Sequence, residues 1–152
     1  MKSSGPDKFI VIGIGNDSRQ DDGLGWALLN SVTDLVGDFA ELVYRYQLNI
    51  EDADLIQDAD LVLFVDACRD SIEGGSVVEE CTPNGDITFT THALSPSAVL
   101  ALCQQVYEKE PASYVLKLQG FEWELKTGLT DSGKKSLESG INAFKSFLKR
   151  YY

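Results

Sequence analysis

The sequence of 152 residues is poor in the side chains that mark several functional classes. Its only histidine is His92, and its three cysteines, Cys68, Cys81 and Cys103, form no CxxC pair. This spacing argues against a zinc knuckle or a redox dithiol, and we expect ordinary reduced thiols. No serine or cysteine lies in a G-x-S-x-G elbow, so covalent catalysis by a nucleophile and a base is disfavoured.

Long apolar runs and positive charge are also scarce. The first apolar run, KFIVIGI at residues 8–14, is short and broken by glycine, which is typical of a buried strand rather than a signal peptide or membrane span. Lysine and arginine number 13 against 24 aspartates and glutamates, giving a formal net charge of −11. This charge favours solubility and would repel nucleic acid or an anionic membrane. We expect a cytoplasmic monomer that binds neither.

The sequence does contain strand-like and helix-like segments in regular alternation. Its length fits one domain, residues 1–152, with residues 1–7 as a flexible N-terminal segment. Apolar or alternating runs predict strands at 8–14, 41–47, 60–67, 74–81 and 113–120, and residues 86–93 are expected to be extended. Strands that alternate with helices form βαβ units. The predicted fold is therefore a three-layer α/β/α sandwich with a mostly parallel central sheet, of the phosphorylase/hydrolase-like type.

Capping residues and apolar stripes define the expected helices. The first helix is predicted at about 22–36, a short acidic one at 50–59 after Asn49, a third from Ser95 and Pro96, and a last one after Thr130. The stripes expected to face the core are Leu24, Leu28, Val32, Leu35 and Val36; Val99, Leu102, Cys103, Val106 and Tyr107; and Leu137, Ile141, Phe144 and Leu148.

The loop after the first strand, GIGNDSRQDDGLG at residues 13–25, begins like a nucleotide-binding turn. A dinucleotide fingerprint requires G-x-G-x-x-G, but the third glycine position is Ser18. Asp21 and Asp22 would oppose a pyrophosphate at the start of a helix, whereas they would suit a cation. Nucleotide binding is thus a weak hypothesis. The alternative for each aspartate is that it only caps the following helix.

Two further residues are candidates for the same site. Asp66 ends the apolar strand LVLFVDA, at the sheet edge where open α/β folds bind ligands, although it could instead cap the next turn. His92 precedes a helix start, and a lone histidine is more often structural than a ligand. If Asp22, Asp66 and His92 meet, two oxygens and one nitrogen would suit nickel or zinc with an open coordination position. Their spacing alone does not establish that they meet.

Four segments resemble the nickel-iron hydrogenase maturation peptidases, which remove a C-terminal extension from the hydrogenase large subunit. In order they are GIGNDSRQDDGLG, FVDA, THALSP and GFEWELKTGLTDSG, and the resemblance runs from about residue 8 to 148. Its most specific part is G-x-G-N followed by D-D-G-x-G. The resemblance implies an endopeptidase that recognises nickel in the immature large subunit and cleaves off that extension.

The resemblance also assigns roles to individual positions. It implies that Asp22, Asp66 and His92 bind the metal ion, that Asp22 and Asp66 are catalytic, and that the loop shaping the site contains Gly15, Asn16, Gly23 and Gly25. The nickel would come from the precursor, and cadmium or zinc could replace it in vitro.

Several alternatives stay open on the sequence. The ion could polarise the scissile carbonyl or activate water while Asp22 or Asp66 accepts a proton. The ion could instead serve only to signal that the precursor already contains nickel. Outside this mechanism, the protein could be a non-proteolytic metal-recognition or metal-delivery module for the same precursor, or an aminopeptidase-like hydrolase.

Overall fold

The computed structural model describes residues 5–84 and 94–152. Within these ranges, four α-helices cover the two faces of one five-stranded sheet. In chain order the elements are β1 (Phe9–Ile14), α1 (Leu24–Val36), β2 (Glu41–Arg45), α2 (Glu51–Ile56), β3 (Leu61–Cys68), β4 (Ser76–Cys81), α3 (Pro96–Tyr107), β5 (Ala112–Gln119) and α4 (Asp131–Leu148).

The strand order is β2-β1-β3-β5-β4. All neighbours are parallel except the edge strand β4, which runs antiparallel to β5. The predicted α/β fold with a mostly parallel sheet is therefore confirmed. Because β1, β2, β3 and β5 share one direction, the loops that follow them emerge at one edge of the sheet, called here the carboxyl edge.

Helices on both faces explain why the central strands are almost wholly apolar. α1 and α4 pack on one face, around Leu28 and Phe144, and α2 and α3 pack on the other, around Ile56 and Val99. Strands buried on both sides read as continuous hydrophobic runs, as in FIVIGI and LVLFV. No helix in the described part of the chain is long and apolar enough to cross a membrane.

Two of the predicted helix starts are confirmed by their capping bonds. The Ser95 side chain accepts a hydrogen bond from the Ala98 N–H, and the Thr130 side chain accepts one from the Gly133 N–H. Asn49 lies one residue before the N-cap of α2, and its Oδ1 accepts a hydrogen bond from the Glu51 N–H at 3.1 Å. These local caps fix where each helix begins.

Some expected details differ in the structure. Leu35 and Val106, predicted to face the core, are 44% and 63% exposed, because each lies at the margin of its helix's apolar stripe. Of the N-terminal segment expected to be flexible, residues 1–4 lie outside the described ranges, and Gly5 lies against the ring of Tyr152. The extended segment predicted at 86–93 also lies outside them.

Candidate active site

The site is built on the glycine loop, residues 15–25, which leaves β1 at the carboxyl edge. Gly15 has a φ of +146°, and a Cβ on it would collide with the carbonyl oxygen of Asp22. That oxygen accepts a hydrogen bond from the Asn16 N–H at 3.1 Å. A Cβ on Gly25 would lie 2.6 Å from the carbonyl oxygen of Ile14. The loop therefore folds back on its own strand so tightly that these positions need glycine.

This fold-back places Asp22 beside Asp66. In the sheet Asp66 is paired with Ile14, the residue before Gly15. The Asp22 carboxyl carbon lies 3.9 Å from the position a Gly15 Cβ would occupy. Asp66 and Asp22, called the acid pair below, thus meet where β1 and β3 end. The register of two neighbouring parallel strands is what brings them together.

The acid pair has perturbed protonation. Burial raises the pKa of Asp66 to about 7, hydrogen bonding from the Ala67 backbone opposes this, and the negative charge of Asp22 raises it further. Burial also raises the pKa of Asp22, while the Asn16 backbone and then the charges of Arg19 and Arg69 lower it. Two neighbouring desolvated carboxylates are a known arrangement for acid–base chemistry or cation binding.

Neither aspartate of the DD motif caps the following helix, so that alternative is wrong. A 3-10 turn covers Gln20–Gly23, α1 begins only at Leu24, and no side chain caps either element. Asp66 likewise does not hold the turn after β3, where Cys68 Sγ accepts a hydrogen bond from Asp70 N–H. The acid pair is therefore not engaged in helix or turn capping.

Asp21 has a different role, which the sequence analysis missed. Its side chain is fully buried, and its carboxylate accepts hydrogen bonds from the N–H groups of Phe121, Glu122 and Thr130 and from the Thr130 hydroxyl, at 2.7 to 3.3 Å. Asp21 thus ties the glycine loop to the segment that connects β5 to α4. The only hint in the sequence was that the segment GFEWELKTGLTDSG resembles the peptidase family, and this resemblance does not indicate that the segment binds Asp21.

Gln20 reinforces this connection. It has a left-handed backbone with a φ of +49° although it is not glycine. Its N–H donates to the Lys126 carbonyl, and its Oε1 accepts a hydrogen bond from Glu124 N–H at 2.9 Å. A strained residue held this way is common near functional sites. The segment of residues 120–130 therefore has a fixed position beside the acid pair.

Two cavities lie near the glycine loop and the acid pair, one lined by Asp66 and the other by Gly23, the residue after Asp22. One, of about 320 Å³, begins at Asp66 and is lined by Cys81, Ser97, Val115 and Lys117 among others. The second, of about 180 Å³, lies against Gly23 and Trp26.

His92 lies outside the described residues, so its predicted place in the site stays a prediction. Within residues 5–84 and 94–152, no three histidine, cysteine, aspartate or glutamate side chains come together as a possible metal site. The described part of the chain thus contributes two carboxylates, and a third protein ligand would have to come from elsewhere.

The fold and the acid pair define an α/β/α sandwich with a two-carboxylate cleft at its carboxyl edge. That fold is shared by solved hydrogenase maturation endopeptidases. The hydrogenase maturating endopeptidase HybD from E. coli matches with a TM-score of 0.76 and 15% identity over 94% of this chain and 93% of its own.

Two further solved structures match over similar lengths. The NiFe hydrogenase maturation protease HycI from Thermococcus kodakarensis KOD1 has a TM-score of 0.71 and 23% identity over 96% of this chain and 95% of its own. An endopeptidase from Escherichia coli has a TM-score of 0.74 and 16% identity over 94% and 93%. No family model and no curated protein sequence matches the chain. These similarities confirm the fold that the sequence resemblance implied.

Proposed function

We propose that this protein is an endopeptidase that matures nickel-iron hydrogenase by removing the C-terminal extension of the large-subunit precursor. The observation that carries the proposal is the acid pair, which lies at the ligand-binding edge of a fold shared with maturation endopeptidases. The motif order and the fold both support this class.

The residues of the cleft fit a divalent cation. Asp22 and Asp66 are both desolvated, and the charge of Asp22 destabilises the charged form of Asp66, so a cation between them would relieve both effects. No described lysine or arginine forms an ion pair with either carboxylate. We assign Asp22 and Asp66 as ligands and His92 as the third. In this proposal the ion is nickel, carried in by the precursor as part of the substrate, with zinc or cadmium as probes.

The protonation of Asp66 gives it a second role. A carboxylate oxygen of Asp66 that does not contact the cation would be free to accept and release a proton, and the burial of Asp66 favours its protonated form. We assign Asp66 to take the proton from the attacking water and return it to the leaving amine. We assign Asp22, whose pKa is raised by burial and lowered by the Asn16 backbone and then by Arg19 and Arg69, to orient the site. A bound cation would polarise the scissile carbonyl.

The two cavities suggest the path along which the substrate peptide binds. The peptide would run from the cavity beside Val115 and Lys117, over the acid pair, to the cavity beside Trp26. Reduced thiols fit action in the cytoplasm, and the three cysteines are free. We propose that the protein acts there as a monomer.

The test is processing of the large-subunit precursor in nickel-loaded and nickel-free forms, followed by intact-mass measurement. We expect one shortened product from the loaded precursor with the wild-type protein, and none with Asp22→Asn. A precursor that binds in the presence of nickel but keeps its full mass would instead identify a metal-recognition module. Cleavage of short unrelated peptides would identify an aminopeptidase-like hydrolase.

A further inference from the structure

We propose that Arg19 and Arg69, both held by Trp123 beside the acid pair, form a binding site for a carboxylate of the peptide substrate. These two residues are called the arginine pair below. The inference rests on the proposed function, because it takes the extension of the precursor as the peptide.

The arginine pair is brought together by three loops of the carboxyl edge. Arg19 follows β1, Arg69 follows β3, and Trp123 follows β5. The Arg19 Nη2 donates to the Trp123 carbonyl oxygen at 3.4 Å. The Arg69 Cζ lies 4.4 Å from the centroid of the Trp123 ring. A guanidinium over an aromatic ring keeps the N–H groups at its rim available for a ligand.

Trp123 holds a fixed position, so the arginine pair does not depend on a mobile support. Its ring packs on Gly120, where a Cβ would come within 2.6 Å of a ring carbon. The residue before it, Glu122, and the residue after it, Glu124, both donate backbone hydrogen bonds to the glycine loop, to Asp21 and Gln20 respectively. The ring is thus positioned by the same hydrogen bonds that fix the loop of the acid pair.

The charge of the arginine pair is not neutralised by an ion pair with any residue that the structure describes. Among the described residues, neither guanidinium forms an ion pair, whereas Arg45 pairs with Asp52 and Lys117 with Glu79. Two guanidiniums on one tryptophan without an ion pair to any described acidic residue are unexpected in a chain with 24 acidic residues and 13 basic ones. Both lie close enough to Asp22 to lower its pKa. The cleft therefore has a negative part, the acid pair, and an adjacent positive part.

A carboxylate is the ligand that this arrangement fits best. Guanidinium groups bind carboxylates through parallel charge-assisted hydrogen bonds, which are stronger and more directional than neutral ones. The carboxylate could be an aspartate or glutamate side chain near the scissile bond, or the C-terminal carboxylate of a short peptide. Either would fix the register of the peptide on the acid pair.

Three acetylated peptides that share one apolar sequence distinguish binding of a side-chain carboxylate from binding of a C-terminal carboxylate. The first has a glutamate and an amidated C-terminus, the second has glutamine and a free C-terminal carboxylate, and the third has glutamine and an amidated C-terminus. Binding is followed by NMR on the Trp123 indole N–H, one of only two tryptophan signals in the protein. We expect at least one of the charged peptides to bind roughly ten-fold more tightly than the neutral one.

Arg19→Gln and Arg69→Gln should each reduce this preference, and the double variant should abolish it. Arg150→Gln is the matched control, because Arg150 stacks on Tyr114 and Phe147 away from the site and should leave the preference unchanged. Equal or undetectable binding of all three peptides, or a preference that survives the double variant, would overturn the proposal. This binding assay does not depend on cleavage. If the protein prefers the charged peptides but does not process the precursor, the peptidase function is rejected and the carboxylate-binding site is retained.

Discussion

Replacing Asp66 with asparagine should stabilise the folded protein above neutral pH and leave it almost unchanged at low pH. Burial and then the charge of Asp22 raise the pKa of Asp66 from 3.8 to about 7. The folded state therefore favours the neutral carboxyl. Its stabilising contribution is complete below about pH 4 and is lost as the pH rises through about 7, where the folded protein must accept a buried charge. Asparagine keeps the shape of the side chain without that charge.

The size of the effect follows from the two pKa values. The interval between 3.8 and about 7 corresponds to about 4 kcal/mol at 1.36 kcal/mol per pH unit, which is an upper limit. Asp66 is not fully buried, so solvent reduces the cost of its charge. We expect Asp66→Asn to raise the free energy of unfolding by about 1 to 3 kcal/mol at about pH 8.

Denaturant unfolding of the wild type and the variant at about pH 4.5, 6 and 8 measures this difference. Titrations elsewhere in the chain affect both proteins alike and cancel. Asp58→Asn is the control, because Asp58 is exposed and its ion pair with Lys8 lowers its pKa. A difference between wild type and Asp66→Asn that stays constant over this range would refute the assignment of a raised pKa to Asp66.

Further predictions address the loop and the metal. Asp21→Ala leaves buried N–H groups without an acceptor and should cost about 3 to 5 kcal/mol in denaturant unfolding, and a loss below about 1 kcal/mol would contradict this. Gly15→Ala should destabilise the fold and displace Asp22, which a crystal structure or loss of processing would detect; normal processing would show that the loop tolerates a side chain. Asp22→Ala and His92→Ala should abolish processing with melting temperatures near wild type, and full processing would exclude either residue. Zinc affinity should fall between about pH 8 and 5 as ligands take up protons, and a flat profile in calorimetric titration would argue against this ligand set.

The sheet was predictable because its signals are local. A strand buried on both faces must be apolar along its length, and helix starts at Ser95 and Thr130 use side chains that bond three residues away. The predicted helix boundaries were less accurate where tertiary contacts determine where a helix begins. α1 begins at Leu24 rather than about residue 22, because the preceding turn is drawn toward the 120–130 segment by Gln20 and Asp21.

The site was predictable only in part, for a related reason. The pairing of Asp22 with Asp66 follows from a general rule about the carboxyl edge of parallel sheets. Helix capping stayed an open alternative for Asp21 because its true partners lie about 100 residues away in the chain. The contact of Arg69 with Trp123 depends on the conformation of two loops, and no spacing in the sequence encodes it. His92 stays a prediction.

The most direct measurement of the central claim is a crystal structure grown with zinc, with the ion located by its anomalous scattering. We expect one ion at the carboxyl edge, within about 2.0 to 2.2 Å of a carboxylate oxygen of Asp22, a carboxylate oxygen of Asp66 and a nitrogen of His92. An ion bound elsewhere, or an acid pair whose carboxylates contact only water under these conditions, would contradict it.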